Sequence, residues 1–171
     1  MSKVFFIADT HFGEKDVFLT SGEAKDFYSL SAKDLKIKSK WNNVVNPEDT
    51  VYVLGDFGEP CFAKNLNGHK ILIRGNHDDY YDEPGPKEYE EYFDKVYDLS
   101  VLYNDFFILS HEPKYVNENM PYANIFGHVH NNPIYKDVSS RSFCVSACRL
   151  DYEPISYEEI VKKMQEVIYE R

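Results

Sequence analysis

Only three cysteines occur in the 171 residues, Cys61, Cys144 and Cys148, and no two of them form a CxxC pair. An odd count with that spacing builds no disulfide framework, and the expected role is that of small reduced packing residues. No stretch approaches the roughly twenty apolar residues that span a bilayer. The opening run of residues 4–8 is too short for the hydrophobic region of a signal peptide. A soluble, cytoplasmic protein is therefore expected. Excess positive charge is also missing: the formal net charge is −10. Such a chain is a poor electrostatic partner for long nucleic acid or an anionic membrane, although bound cations can reverse the sign locally.

Several catalytic signatures are absent as well. There is no GxxxxGK[ST] loop for nucleotide phosphates and no GxSxG elbow beside Ser110-His111. His111-Glu112 begins like HExxH, but Pro113 would break the required helix and Tyr115 occupies the fifth position. Pro60-Cys61 lacks the second cysteine of a zinc deaminase.

What the chain does contain is enough apolar and aromatic residue, 43% and 16%, for one globular core. The length suits a single domain over residues 1–171. One pattern recurs: a short apolar run that stops at a polar, metal-capable residue. Residues 4–8 run into Asp9-Thr10-His11, and 51–54 into Gly55-Asp56. Residues 71–73 run through Arg74 into Gly75-Asn76-His77-Asp78, 106–109 through Ser110 into His111, and 125–126 into Gly127-His128-Val129-His130. Runs this short and this rich in β-branched or aromatic residues predict buried strands. Their polar residues then emerge at the carboxyl edge of a sheet, where α/β folds bind ligands.

Residues 21–45 predict a mostly helical segment ended by Asn46-Pro47, with Leu30, Leu35, Ile37 and Trp41 on its apolar side. A short helix is expected near residues 87–93, one or two strands within 96–103, and another strand within 142–147. The clearest helix is 156–168, with Ser156 as N-cap, Glu159 three residues on, and Ile160, Met164, Val167 and Ile168 as its stripe. Mixed strands and helices with loop-borne polar clusters imply an α/β or α+β layered fold.

Five of the six histidines sit at strand exits; His69 alone does not. One such histidine is more often a hydrogen-bonded structural residue than a ligand. Five together, accompanied by Asp9, Asp56 and Asn76, point to metal. Imidazole and carboxylate without thiolate suit manganese, iron, zinc, cobalt or nickel. The expected ligands are Asp9, His11, Asp56, Asn76, His111, His128 and His130. Asp9 and His11, like His128 and His130, are two apart, and alternate side chains at the end of an extended strand share a face. Seven ligands exceed one tetrahedral site and suit two divalent ions that share a ligand; Asp56, midway in the order and with two oxygens, is the candidate bridge. Gly55, Gly75 and Gly127 are expected to allow tight turns and close backbone approach.

Taken in order, Asp9-x-His11, Gly55-Asp56, Gly75-Asn76-His77-Asp78, His111 and Gly127-His128-x-His130 resemble the calcineurin-like metallophosphoesterases, over about three quarters of the chain. The resemblance implies a four-layer α/β/β/α sandwich. It implies one metal on Asp9, His11, Asp56 and His130, and another on Asp56, Asn76, His111 and His128. The extended GDxxDRG form of the protein Ser/Thr phosphatases is missing, and Glu59 stands where purple acid phosphatases carry a tyrosine ligand. The chain is also too short for the capping domain of the nuclease members, and it looks like a small single-domain bacterial or phage phosphoesterase.

The reaction this implies is hydrolysis of a phosphomonoester or phosphodiester. Two ions about 3.5–4 Å apart would clamp the phosphoryl group and lower the pKa of a bridging water, and the hydroxide would attack phosphorus in line with the leaving oxygen. His77, adjacent to a ligand and so diverging from it, is expected to point at substrate. By resemblance it protonates the leaving group or stabilises charge on the phosphoryl oxygens. Asp78 is expected either to hold the His77 tautomer or to be a loop-surface carboxylate beside Asp79. Arg74 is expected either on substrate phosphate or in a surface ion pair, and Tyr80 and Tyr81 in a rim over the site or a solvated loop. The expected partner is a small phosphorylated substrate, nucleotides included; oligomeric state stays open. Rival readings are a non-catalytic metal-binding interaction protein on the same scaffold and a metallohydrolase acting on another kind of bond.

Overall fold

In the computed structural model, which describes residues 2–78 and 88–169, the first apolar run forms a strand, β1 (Val4–Ile7). Its side chains alternate between two cores. Phe5 and Ile7 pack with Trp41, Val51, Val53 and Leu72, whereas Phe6 and the following Ala8 pack with Leu54, Ile73, Leu109 and Ile125. A strand buried on both faces needs a layer on each side.

Those layers come from the rest of the chain. A short helix α1 (Lys15–Thr20) and a longer α2 (Leu30–Val44) precede β2 (Thr50–Val53) and β3 (His69–Ile73). Then come β4 (Lys95–Tyr97), β5 (Val101–Tyr103), β6 (Phe107–Ser110), β7 (Ala123–Phe126), β8 (Ser142–Cys144), β9 (Ile155–Ser156) and the final helix α3 (Tyr157–Tyr169). One sheet has the order β4-β3-β2-β1-β9 and the other β5-β6-β7-β8. Within each, the strands that lead to the polar clusters are parallel: β1, β2 and β3 in the first, β6 and β7 in the second. The sheets join where β1 ends. Ala8 N–H donates to Val145 O at 2.9 Å, and Ala147 N–H donates to Ala8 O at 2.8 Å.

Two parallel-rich sheets flanked by helices make this the α/β sandwich expected of the sequence. Helix α2 starts at Ser29, whose hydroxyl accepts the Ala32 N–H at 3.2 Å, and buries Ile37 and Trp41 on the first sheet. Burying two such side chains contributes about 1.5–3 kcal/mol each. At the other helix Ser156 accepts the Glu159 N–H at 3.3 Å, and Ile160 and Met164 enter the core between the sheets. The same core holds a ring cluster in which Phe6 stacks on Tyr52 at 5.6 Å and Tyr103 stands edge-on to both.

Several expectations are corrected. The 21–45 segment divides into a 3-10 turn at Glu23–Lys25 and α2; Leu35 is 66% exposed, because the buried stripe runs through residues 33, 37 and 41. Ile168 is also exposed, one turn past the last core contact of α3. The 96–103 segment supplies two strands, as expected, and they lie in different sheets, so the chain crosses between layers at residues 98–100. The short helix expected near 87–93 is a 3-10 turn, Tyr89–Glu91. Cys144 is buried as expected, but Cys61 is exposed. Among the described residues no helix is long and apolar enough to cross a membrane.

Candidate metal centre

The loops leaving β1, β2, β3, β6 and β7 carry the seven expected ligand residues. Their backbone is not the extended continuation that the two-residue spacing suggested. Asp9, His11, Asp56, His128 and His130 have φ of 57°, 42°, 54°, 70° and 42°, all in the left-handed region. That conformation costs a non-glycine residue roughly 1–2 kcal/mol. The backbone thus reverses hand where it leaves β1, β2 and β7. Gly55 and Gly75 let the loops touch. A Cβ on Gly75 would collide with Asp56 Oδ1, and one on Gly55 would collide with His111 Nδ1 and stand 2.7 Å from Gly75 Cα.

The ligand atoms gather in two groups, Asp9/His11/His130 and Asp56/His111/His128, each with its atoms within 4.8 Å of one another. In the first group the His11 and His130 rings stack at 5.2 Å with their Nε2 atoms 3.3 Å apart. In the second, His111 Nε2 and His128 Nδ1 lie 3.0 Å apart, and both approach Asn76 Oδ1, at 2.9 and 3.0 Å. Asp56 Oδ2 stands between the groups, 3.6 Å from His11 Nε2 and 3.4 Å from His111 Nε2. Asp9 is aimed by the His128 N–H, 2.9 Å from both its oxygens. Four imidazole nitrogens, two carboxylates and an amide oxygen thus converge. Two ring nitrogens at hydrogen-bond distance cannot both offer lone pairs to each other, but both can offer them to a cation. The donor set therefore fits divalent transition metals.

The electrostatics agree. Burial alone would raise the Asp56 carboxyl; contact with His111, the nearby His11 and the His77 N–H overcome it and hold the group well below the usual carboxylate range. Burial would lower His111, but the Asp56 and Asp9 carboxylates and the Leu54 carbonyl carry it up to about 9. Burial, reinforced by His11 and opposed by Asp9, keeps His130 below its ordinary value.

Around the ligands runs a set of clamps. His111 Nδ1–H donates to Leu54 O at 2.9 Å, which leaves Nε2 facing the cluster. Asp78 is the main correction at the site. Expected to hold the His77 ring, it is 1% exposed and points the other way. Its oxygens accept the N–H groups of Asp56, Phe57 and Gly75 at 2.6, 3.0 and 2.9 Å and contact the Tyr89 hydroxyl at 2.7 Å. Burial and the neighbouring Asp56 push its pKa up, against the pull of those donors. Arg74 ion-pairs with Glu90 and Asp98 and donates to Asp78 O, so of its two expected roles it takes the ion pair.

Two clamps went unforeseen. Lys33 is fully buried and donates to Thr10 O and His11 O at 2.9 and 3.0 Å, with Glu23 and Asp34 within 4 Å. Burial lowers its pKa while Glu23, Asp34 and Glu14 work to keep the charge. Its signal was positional: Lys33 stands four and eight residues before the buried Ile37 and Trp41, on one helical stripe. Arg149 donates to His130 O, Asn132 O and Tyr135 O and so fixes the loop beyond the last ligand; nothing local in the sequence marks it.

His77 is half-buried, its side chain 40% exposed, with its ring edge-on to His11 at 5.1 Å and its N–H on Asp56 Oδ1 at 2.9 Å. The rim expected from Tyr80 and Tyr81 lies outside the described residues.

The chain is similar to several known proteins. The family model for calcineurin-like phosphoesterases matches residues 2–148. An uncharacterized protein of Methanocaldococcus jannaschii, MJ1445, is 29% identical over 96% of this chain and 93% of its own length. The gene 66 protein of Mycobacterium phage L5 is 31% identical over 46% of this chain and 41% of its own. Among solved structures, the protein of unknown function AQ665 from Aquifex aeolicus superposes with a TM-score of 0.69 at 29% identity, covering 95% of this chain and 99% of that one. With its motifs on the strand ends and its ligand groups convergent, the chain belongs to the calcineurin-like phosphoesterase family.

Proposed function

We propose that the protein is a binuclear metal-dependent phosphoesterase acting on a small phosphorylated substrate in the cytoplasm. The observation that carries this reading is the position of Asp56 Oδ2, within 3.6 Å of a histidine nitrogen from each ligand group. Asp9, His11, Asp56 and His130 would hold one divalent ion, and Asp56, Asn76, His111 and His128 the other. When bound, such ions supply Lewis acidity toward phosphoryl oxygens and lower the pKa of water. Two of them bring about +4 against about −2 from Asp9 and Asp56, which leaves a cationic patch for phosphate on an acidic chain. The clamps keep these side chains in place, so little reorganisation is needed when substrate arrives. His77, beside His11 and partly open to solvent, would give a proton to a leaving oxygen or stabilise phosphoryl charge.

The test is a metal analysis joined to hydrolysis of p-nitrophenyl phosphate and bis-p-nitrophenyl phosphate. A chelator should abolish turnover, Mn²⁺ should restore it, and about two ions per chain should bind. Two bound ions with no turnover on any phosphoester would defeat the reading and favour a binding protein. His77→Ala should keep its metal while turnover falls roughly 10²-fold, most for poor leaving groups. Loss of metal in that variant would show that His77 is a ligand instead.

A further inference from the structure

His11 has two ring nitrogens, and only one faces the cluster. Nε2 lies 3.3 Å from His130 Nε2 and 3.6 Å from Asp56 Oδ2. Nδ1, on the opposite side of this fully buried ring, lies 2.7 Å from Glu14 Oε2. Glu14 occupies the N-cap position of α1, yet its side chain makes no capping bond and turns back over His11 instead. Gly13 makes that reversal with a φ of 74°. The turn is pinned by Gly13 N–H donating to Asp34 at 3.2 Å and by Lys33 on the Thr10 and His11 carbonyls.

The same Glu14 oxygen lies 4.0 Å from His77 Nδ1. His11, Glu14 and His77 form a third group of potential ligands whose atoms fall within 4.8 Å of one another. An ion between Glu14 and His11 is not the better explanation. Metal–ligand bonds of about 2.0–2.2 Å would hold the two atoms further apart than a 2.7 Å hydrogen-bond distance.

We propose that Glu14 is the positioning carboxylate of the centre: it takes the Nδ1–H of His11, which leaves Nε2 to the metal, and it steers the His77 imidazole to the same edge of the site. This deepens the binuclear reading and rests on it. A ring N–H held by a carboxylate fixes the tautomer and makes the other nitrogen a stronger donor. The two halves of the centre are then unequal. His11 is backed by a charged acceptor, whereas His111 is backed by the neutral Leu54 carbonyl. Removing Glu14 should therefore weaken one ion and spare the other.

The experiment titrates the full chain, wild type, Glu14→Ala and Glu14→Gln, with Mn²⁺ by calorimetry. In Glu14→Ala one of two binding events should weaken about 10–100-fold while the other holds. Glu14→Gln should fall between, because its amide oxygen still accepts the Nδ1–H but carries no charge. With Zn²⁺ bound, histidine ¹⁵N–¹H spectra should show the hydrogen-bonded His11 Nδ1–H in the wild type and in Glu14→Gln, and lose it in Glu14→Ala. At saturating Mn²⁺, kcat of Glu14→Ala should still fall about tenfold while KM holds, through His77. Wild-type affinities for both ions and an unchanged Nδ1–H signal in the variants would overturn the proposal. Should Glu14→Ala lose its thermal transition, Glu14→Gln decides: unweakened binding by it overturns the proposal, and selective weakening supports it. A wild type that binds no Mn²⁺ would instead bring down the binuclear reading, and this inference with it.

Discussion

Asp56→Asn should abolish hydrolysis of bis-p-nitrophenyl phosphate, by roughly 10³-fold or more, and strip metal from the protein while leaving it folded. Asparagine has the shape of aspartate and keeps one oxygen, so it can still accept the His77 N–H that Asp56 Oδ1 takes at 2.9 Å. What it cannot supply is a second acceptor oxygen with negative charge between the two histidine groups. Its NH₂ would face His11 Nε2 and His111 Nε2, where Oδ2 now lies within 3.6 Å of both. The depressed pKa of Asp56 shows that this environment favours the ionised form, and the neutral amide forfeits that preference. Plasma mass spectrometry of the dialysed protein, a melting curve and a turnover assay check the three parts. Full activity with a full complement of metal would remove Asp56 from its bridging role.

Asp78→Ala should cost stability rather than chemistry alone. The carboxylate collects three backbone N–H groups from two different loops and meets the Tyr89 hydroxyl in a fully buried position. A buried donor left without an acceptor costs about 1–3 kcal/mol, and the losses here share one cavity, so the expected total is roughly 3–5 kcal/mol. Asp78→Asn keeps one acceptor oxygen and should lose less. Chemical denaturation of the two variants measures the ranking. Equal stability of Asp78→Ala and wild type would show that water replaces the carboxylate, and that the Asp56 and Gly75 loops do not depend on it.

The contrast between Asp56 and Asp78 also shows what a sequence can and cannot reveal about this site. The five strands that lead to the site were legible because each is a short apolar run, and each expected ligand residue because it follows one; β9, two residues long, was not. The direction of a side chain beyond the strand end was not. Five of the expected ligand residues adopt a left-handed backbone, which the surrounding structure rather than local preference has to hold. Asp78 was assigned to its neighbour in sequence, His77, whereas its partners lie more than twenty residues away as well as three. Lys33 was readable in principle, since it shares a stripe with Ile37 and Trp41. Arg149 was not, because its acceptors are carbonyls 14 to 19 residues distant.

The junction at Ala8, where the end of β1 hydrogen-bonds to the segment after β8, carries a last consequence. Asp9, His11, Asp56 and Asn76 follow strands of the five-stranded sheet; His111, His128 and His130 follow strands of the four-stranded one. In the proposed assignment each ion draws on both. Neither sheet owns a complete site, so the proposed centre is complete only when the two sheets dock. Ions bound there would act as rivets across that seam. At a hundred times its dissociation constant, one ion adds about 2.7 kcal/mol against separation. The supply of metal would then govern how long the molecule stays in one piece as well as how fast it works.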